Sequence, residues 1–340
     1  MIEIQAYNVP QLYAEGMSVF HMYAMEAPSR NGPVYTIPDP VELVIQNPKQ
    51  RVLFDPVRDA NPFFHVMEAI WMFSGGYYAK FLLEFNKGYA KYVEPSGEVH
   101  GAYGARWLWH FGKEQIREVI KILREDPHSR QAVIQMWDAS RDLSKPIGIP
   151  DYKDRPCNTQ ICFRTRPQSG RLDMTVFNRS NDFVWGAAGA NAVHMTMLHE
   201  IVATCTGQPV GTYRVVTNNL HLYKDLPVVK KEYGKLVVPV DPYHDIMGLH
   251  FPLLSEHEGG WEEFSRDCAR FVNGVQVNNR TGWLARVAEP MLAVWRLREQ
   301  DYALAINSTH NIAAPDWRMA CVQWLTRRQV SKVALGAAGA

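Results

Sequence analysis

Apolar residues first settle into helical spacing at Phe63, Val66, Met67, Ile70 and Trp71, which share one face of a helix. Asn61 supplies the cap, Pro62 falls in the first turn, and Gly75-Gly76 ends the run. Glu68 lies between apolar neighbours of that helix. A turn at Tyr103-Gly104 precedes an aromatic run from Trp107 to Phe111. Ile116, Val119, Ile120 and Leu123 predict a second helix over 113–124, stopped by Asp126-Pro127. Alternation then takes over. Residues 131–137, 159–165 and 172–177 read as strands, the last two joined into a hairpin by a turn at Ser169-Gly170. A polar loop with Pro146 and Pro150 precedes the hairpin. A helix over 190–206, ending at Gly207, is apolar nearly all round, which predicts a central, buried position. Residues 212–217 form a further strand and run into 218–223.

The ends read differently. Residues 1–60 carry scattered prolines and short strand-like runs such as Val41–Ile45, with a turn at 29–32. From about 255 the pattern is helical: 261–272, 284–298 interrupted by Pro290, and 317–332. Residues 334–340 are small and read as a loose tail. No internal repeat is visible. The class is α+β, a mixed or antiparallel sheet with helices packed on it. The shift in pattern divides the chain into a main domain, 1–250, and a helical part, 251–340, which extends that domain or hangs from it.

Composition narrows the function classes. Charges balance to +1, so neither nucleic acid nor a membrane surface is required as a partner. The five cysteines are odd in number and widely spaced, with no CxxC pair. That opposes a disulfide framework or a zinc ribbon, predicts no metal site, and fits a reducing cytoplasm. The first residues lack a basic-then-apolar leader, and no apolar run nears the ~20 residues that span a bilayer.

The chemistry starts at "DRPCNTQIC", residues 154–162. Cys157 follows a proline, opens a strand, and has Arg155 nearby to lower the thiol's pKa. A packed core thiol is the plain alternative, and Cys162, Cys205 and Cys321 fit it. Arg30, Arg130 and Arg179 stand at element junctions, the last two beside Ser129 and Ser180; forked cations with a hydroxyl suit a phosphate. Glu68, if buried, would have a raised pKa and suit proton handling; spacing alone places it equally well at an exposed edge. Asn181, Asp182, Gly186 and Asn191 gather small polar groups ahead of the long helix, where they read a ring or cap a turn. His221 and Tyr223 share one face of an extended segment, fit for a sugar hydroxyl or for solvent. A cysteine hydrolase using Cys157 with His194 or His221 would leave the arginines unexplained.

Taken in order, these segments resemble the thymidylate synthase superfamily, which includes deoxypyrimidine monophosphate hydroxymethylases of phages with modified DNA. Pro156-Cys157 is followed by the hairpin, "NRSNDFVWG" at 178–186, the long helix and "HLY" at 221–223. "RNG" at 30–32, "MEAIWMFSG" at 67–75, "YGARW" at 103–107 and "DPHSRQAVIQMWD" at 126–138 are similar to its other motifs. The order is colinear over 28–225. The resemblance implies that fold, with a sheet face forming a homodimer interface. It implies Cys157 as the nucleophile toward C6 of a pyrimidine, whose C5 then attacks the one-carbon unit of 5,10-methylenetetrahydrofolate. Glu68, Tyr103 and Asn158 complete the implied catalytic group. Arg30, Arg179 and Ser180 bind the phosphate, with Arg130 donated by the other subunit. Asn191 and Asp182 meet the base, and His221 and Tyr223 the sugar. Asp182, Gly186 and Trp107 line the folate.

Departures cluster around the last step. Asn158 stands where the synthases have histidine, Gln131 replaces an arginine, and "AAGAN" at 187–191 is one residue longer than usual. The family's closing pattern is absent from the C-terminal third. An exocyclic methylene on the ring takes hydride to become methyl or water to become hydroxymethyl, according to how water is excluded. These changes favour the hydroxymethylase outcome over thymidylate synthesis. The Asn191 amide favours dUMP, with dCMP next. A non-catalytic nucleotide- or RNA-binding relative is the rival class, opposed by the retention of Cys157 with Glu68. The implied setting is the cytoplasm, that of a phage-infected host included.

Overall fold

The computed structural model describes residues 1–143, 152–246, 248–254 and 260–338, and side chains through 331. The expected loop with Pro146 and Pro150 lies outside the described residues. The strands are β1 (Ile2–Ala6), β2 (Met25–Ala27), β3 (Val34–Thr36), β4 (Val41–Ile45), β5 (Val133–Gln135), β6 (Asn158–Thr165), β7 (Leu172–Asn178), β8 (Asn181–Asp182), β9 (Val210–Thr217) and β10 (Leu220–Tyr223). A six-stranded sheet runs β1-β4-β9-β7-β6-β5, and a four-stranded one β2-β3-β10-β8. The large sheet is mixed: β1 with β4 and β7 with β9 are parallel, and the other pairs antiparallel. Alternation sets its faces. Leu172, Met174 and Val176 of β7 are buried, while Asp173, Thr175 and Phe177 point the other way.

The helices are α1 (Val9–Tyr23), α2 (Pro62–Phe73), α3 (Tyr103–Leu108), α4 (Gln115–Glu125), α5 (Ala190–Cys205), α6 (Pro227–Glu232), α7 (Pro242–Asp245), α8 (Gly260–Val272), α9 (Glu289–Leu297), α10 (Tyr302–Ser308) and α11 (Pro315–Ala338). Asn61 caps α2 by accepting from the amides of Phe63 and Phe64 at 3.1 and 3.2 Å. Every residue of α2 is buried, Glu68 included. The C-terminal helices account for much of that. Phe63 lies 5.3 Å from the Trp295 ring and 5.6 Å from Trp324, and Phe73 lies 6.2 Å from Trp261. These residues share one contiguous core with the sheet. Burying each such phenylalanine contributes roughly 1.5–3 kcal/mol.

Several expectations need correction. The prolines of 1–60 conceal β1 and α1. Asn8 caps α1, Pro10 falls in its first turn, and Leu12, Tyr13, Met17 and Phe20 form its buried stripe. The strand expected over 131–137 pairs only from Val133 to Gln135. Tyr103-Gly104 opens α3 instead of making a turn. Pro290 sits in the first turn of α9, which a wide-turned segment, Leu284–Ala288, precedes. α11 continues to Ala338, where a loose tail was expected from 334. Among the described residues no helix is long and apolar enough to cross a membrane.

Candidate active site

Cys157 ends the loop that enters β6. Its carbonyl accepts from the Arg179 amide at 3.0 Å, pinning the loop to the end of β7. The part-buried thiol faces a cavity with two lobes, of about 310 and about 130 Å³. Glu68, Tyr89, Tyr92, Cys157 and Asn191 line both lobes. Their origins are separate: Glu68 from α2, the tyrosines from a 3₁₀ turn, Lys87–Tyr92, and Asn191 from the first turn of α5.

The expected electrostatics of the thiol change. Burial pushes Cys157 up to about 11; Arg179 pulls the other way, and Asp154 and Asp182 add to the rise. Arg179 is the cation that acts on the thiol most directly, while the Arg155 side chain is engaged with the loop at 142 and with Tyr152. The Arg155 guanidinium donates to the Asp142 carbonyl at 2.9 Å and lies 5.8 Å from the Tyr152 ring. The Tyr103 phenol is within hydrogen-bonding reach of the Cys157 thiol. Burial raises Glu68 to about 8, against a hydrogen bond from Tyr89, so it is mostly neutral at pH 7. His194 lies behind it, with Nε2 3.5 Å from Glu68 Oε2 and 3.2 Å from the His65 carbonyl. A carbonyl only accepts, so Nε2 carries the hydrogen. Burial brings His194 down to about 3 and keeps it neutral.

On the wide lobe, Asp182 Oδ1 accepts from the Trp185 amide at 2.5 Å, and Oδ2 is buried with no hydrogen-bond partner among the described residues. Burial raises Asp182 to about 6. Gly186 allows close packing here: a Cβ would sit 2.4 Å from Asn181 Oδ1 and 3.0 Å from Asn191 Nδ2. Trp185 leaves half its surface exposed, with Arg58 4.9 Å from its ring.

Two arginines converge on the cysteine loop. Arg179 donates to the Pro156 and Arg155 carbonyls at 3.0 and 3.2 Å, and Arg30 reaches the Lys153 carbonyl at 3.4 Å. The Arg30 turn also meets the sugar-side residues, since Asn31 Nδ2 lies 3.4 Å from the Tyr223 hydroxyl. His221 and Tyr223 share a face as expected, with ring centroids 5.3 Å apart. Ser180 Oγ lies 3.5 Å from Asn219 Oδ1 in the same region.

Arg30, Arg179, Ser180, His221 and Tyr223 gather beside the cysteine loop without lining either lobe, and three further predicted residues stand apart from both groups. Trp107 is fully buried, stacked 5.8 Å from Phe73 with its indole on the Met136 sulfur, and so belongs to the core and lines neither lobe. Asn158 turns inward beneath Cys157; its amide meets the Met195 sulfur at 3.7 Å and Oδ1 is buried without a partner among the described residues. Strand alternation explains this, because neighbours on β6 face opposite ways. Arg130 is exposed and lines neither lobe. Sequence reasoning missed Tyr89, Tyr92, Asp154 and Trp185. Asp154 and Trp185 lay inside motifs already quoted; the tyrosines lay in a stretch without periodicity.

A thiol under converging arginines, with a neutral carboxyl and an amide in the same cavity, defines a site for covalent catalysis on a phosphorylated, hydrogen-bonding ring. The chain belongs to the thymidylate synthase family, whose profile matches residues 59–234, and is a one-carbon transferase. It is 37% identical over 341 residues to a deoxyuridylate hydroxymethyltransferase of Pseudomonas phage M6, covering 96% of this chain and 95% of that one. A deoxyuridylate hydroxymethyltransferase of Bacillus phage SP01 is 35% identical, over 55% of this chain and 50% of its own length. A thymidylate synthase of Symbiobacterium thermophilum is 30% identical, over 47% of this chain and 58% of its own.

Proposed function

We propose that this chain hydroxymethylates C5 of dUMP with the one-carbon unit of methylenetetrahydrofolate. The observation that carries the chemistry is the shared lining of the two lobes by Cys157, Glu68 and Asn191. The choice of uracil and of the hydroxymethyl product follows the name of the phage relative aligned over nearly the whole of both chains.

The phosphate docks on Arg179 and Arg30, with Ser180 adding a hydroxyl. His221 and Tyr223 meet the sugar, and Asn191 offers one donor and one acceptor to the O4 and N3–H edge. The thiol gives up its proton to water in the cavity as sulfur bonds C6. Charge then develops on O4, where neutral Glu68 donates a proton, leaving C5 nucleophilic.

The wide lobe suits the folate. The free oxygen of Asp182 accepts from pterin N–H groups, and Trp185 gives a stacking face. An adjoining cavity of about 440 Å³, lined by Lys231 and Arg328, suits the glutamate carboxylates. Methylenetetrahydrofolate would supply the methylene unit; as its C–N bond breaks, the C5 proton passes by way of cavity water to the departing amine, and tetrahydrofolate leaves. Water then completes the product.

The enzyme works as a homodimer, the outer face of the six-stranded sheet serving as the interface and Arg130 reaching the neighbouring site. Mixing C157S and R130A chains then restores activity, because half-restored dimers carry one site with neither lesion. No recovery on mixing sinks the shared site. For the reaction itself, dUMP tritiated at C5 is incubated with and without methylenetetrahydrofolate. The expected result is folate-dependent tritium release and a hydroxymethyl product by mass. A methyl product with dihydrofolate, or turnover of dCMP in place of dUMP, overturns the reading.

A further inference from the structure

Asp154 takes no part in the chemistry described so far, yet it lines the smaller lobe together with Cys157, Glu68 and Tyr103. Its placement is tight. A Cβ on Gly101 would lie 2.4 Å from Asp154 Oδ2, so the carboxylate seats directly against a glycine backbone. The Gly101 amide donates to it. The lobe shares the wall formed by Cys157, Glu68 and Asn191 with the wide lobe, and its volume of about 130 Å³ is enough to hold water. Asp182, Gly186 and Trp185 line the wide lobe and not this one.

We infer that Asp154 is the general base for the water that adds to the ring's exocyclic methylene; this rests on the hydroxymethyl transfer proposed above. The water oxygen bonds the methylene carbon, and the exocyclic C=C electrons move into the C5–C4–O4 enolate. The water proton passes to the Asp154 carboxylate. The enolate then re-forms C5=C6 and expels the Cys157 sulfur as thiolate, which recovers the proton from Asp154.

The neighbours divide the labour. Glu68 serves as the donor at O4, and Asp154 is the other carboxyl among the described residues lining this lobe, placed to accept the proton of the water. Burial raises Asp154 above the ordinary aspartate range, which strengthens it as a base; His100, Arg179 and Arg106 oppose that rise and favour the charged form. Its field reaches Glu68, Tyr89, Tyr92, Tyr103 and Cys157, and raises all of them.

The test separates two events on dUMP tritiated at C5. Tritium release reports loss of the C5 proton, which precedes water addition. Mass analysis reports hydroxymethyl product. In a single turnover, with enzyme in excess over dUMP, wild type gives about one product per tritium released. D154N lowers that ratio at least tenfold, and intact mass shows an adduct of enzyme, dUMP and CH₂ accumulating on Cys157. D154S removes the carboxylate without added bulk and shows the same uncoupling, should melting curves show D154N to be poorly folded. A ratio unchanged in both variants, or product and tritium falling in parallel in a well-folded variant, overturns the assignment. A methyl product from wild type overturns the underlying reading instead, and is seen before any variant is compared.

Discussion

Two buried glutamates, on helices that pack against each other, behave in opposite ways. Glu200 of α5 pairs with Arg51, accepts from the Leu253 amide at 3.1 Å, and meets His250 Nε2 at 3.0 Å. Burial pushes its carboxyl up, but Arg51 and His250 outweigh burial and hold it well below the ordinary range. Among the described residues, Glu68 of α2 has no lysine or arginine paired with it. Its neighbours are a neutral histidine and the Tyr89 phenol, so burial wins and the carboxyl rises to about 8. The first arrangement fixes a charge and holds the helix to the loop at 48–55. The second leaves a group that gains or loses a proton near neutral pH, at the wall of a cavity. Burial alone distinguishes nothing; the presence of a buried cation does.

The comparison can be broken at several points. The largest effect belongs to the cavity's nucleophile: C157S lowers turnover by about 10⁴-fold or more, while the melting temperature stays near wild type. Substantial turnover in C157S would end the covalent mechanism. R51M strips Glu200 of its cation and costs about 3–5 kcal/mol in urea unfolding, with kcat of the folded fraction within about twofold. Below pH about 4.5 the wild type shows its own version of this loss. The folded pKa of Glu200 is depressed, so its stabilisation is present above that pH and disappears as the pH falls through the folded value.

E68Q has the opposite profile. It lowers kcat by about 10²–10³-fold and leaves the fold intact. The folded pKa of Glu68 is raised, so its contribution is complete below pH about 4.5 and is lost as the pH climbs to about 8. Melting curves from pH 5 to 9 therefore slope less for E68Q than for wild type; identical slopes would contradict the assignment. The smallest change is N61A, which removes the cap of the helix that carries Glu68. Stability falls by about 1 kcal/mol, and the pH dependence of kcat does not move.

The legible parts of the sequence were those where pattern and punctuation agreed. The Asn61 cap, the apolar stripe of α2, the β6–β7 hairpin and the all-round apolarity of α5 each followed from local spacing. Ordered motifs linked Cys157 to Glu68 and Asn191 before any geometry was known. α1 went unseen because prolines scattered through residues 1–60 obscured its stripe, although Pro10 falls where a helix tolerates it. Trp107 was assigned to the folate by motif, yet its surroundings are Phe73 and Met136. Nearness in sequence points to Arg155 as the thiol's cation. A cation that acts on Cys157, Arg179, arrives from the end of β7.

The sequence by itself determined the class of elements, their order, and the residue types able to do the chemistry, because propensity, capping and periodicity are local properties. Tertiary structure alone decided which side chains share a cavity, which arginine reaches the thiol, and which carboxyl stays neutral. Those outcomes depend on burial and on charges brought together from distant segments, and a carboxyl's pKa is set by everything within a few ångströms of it.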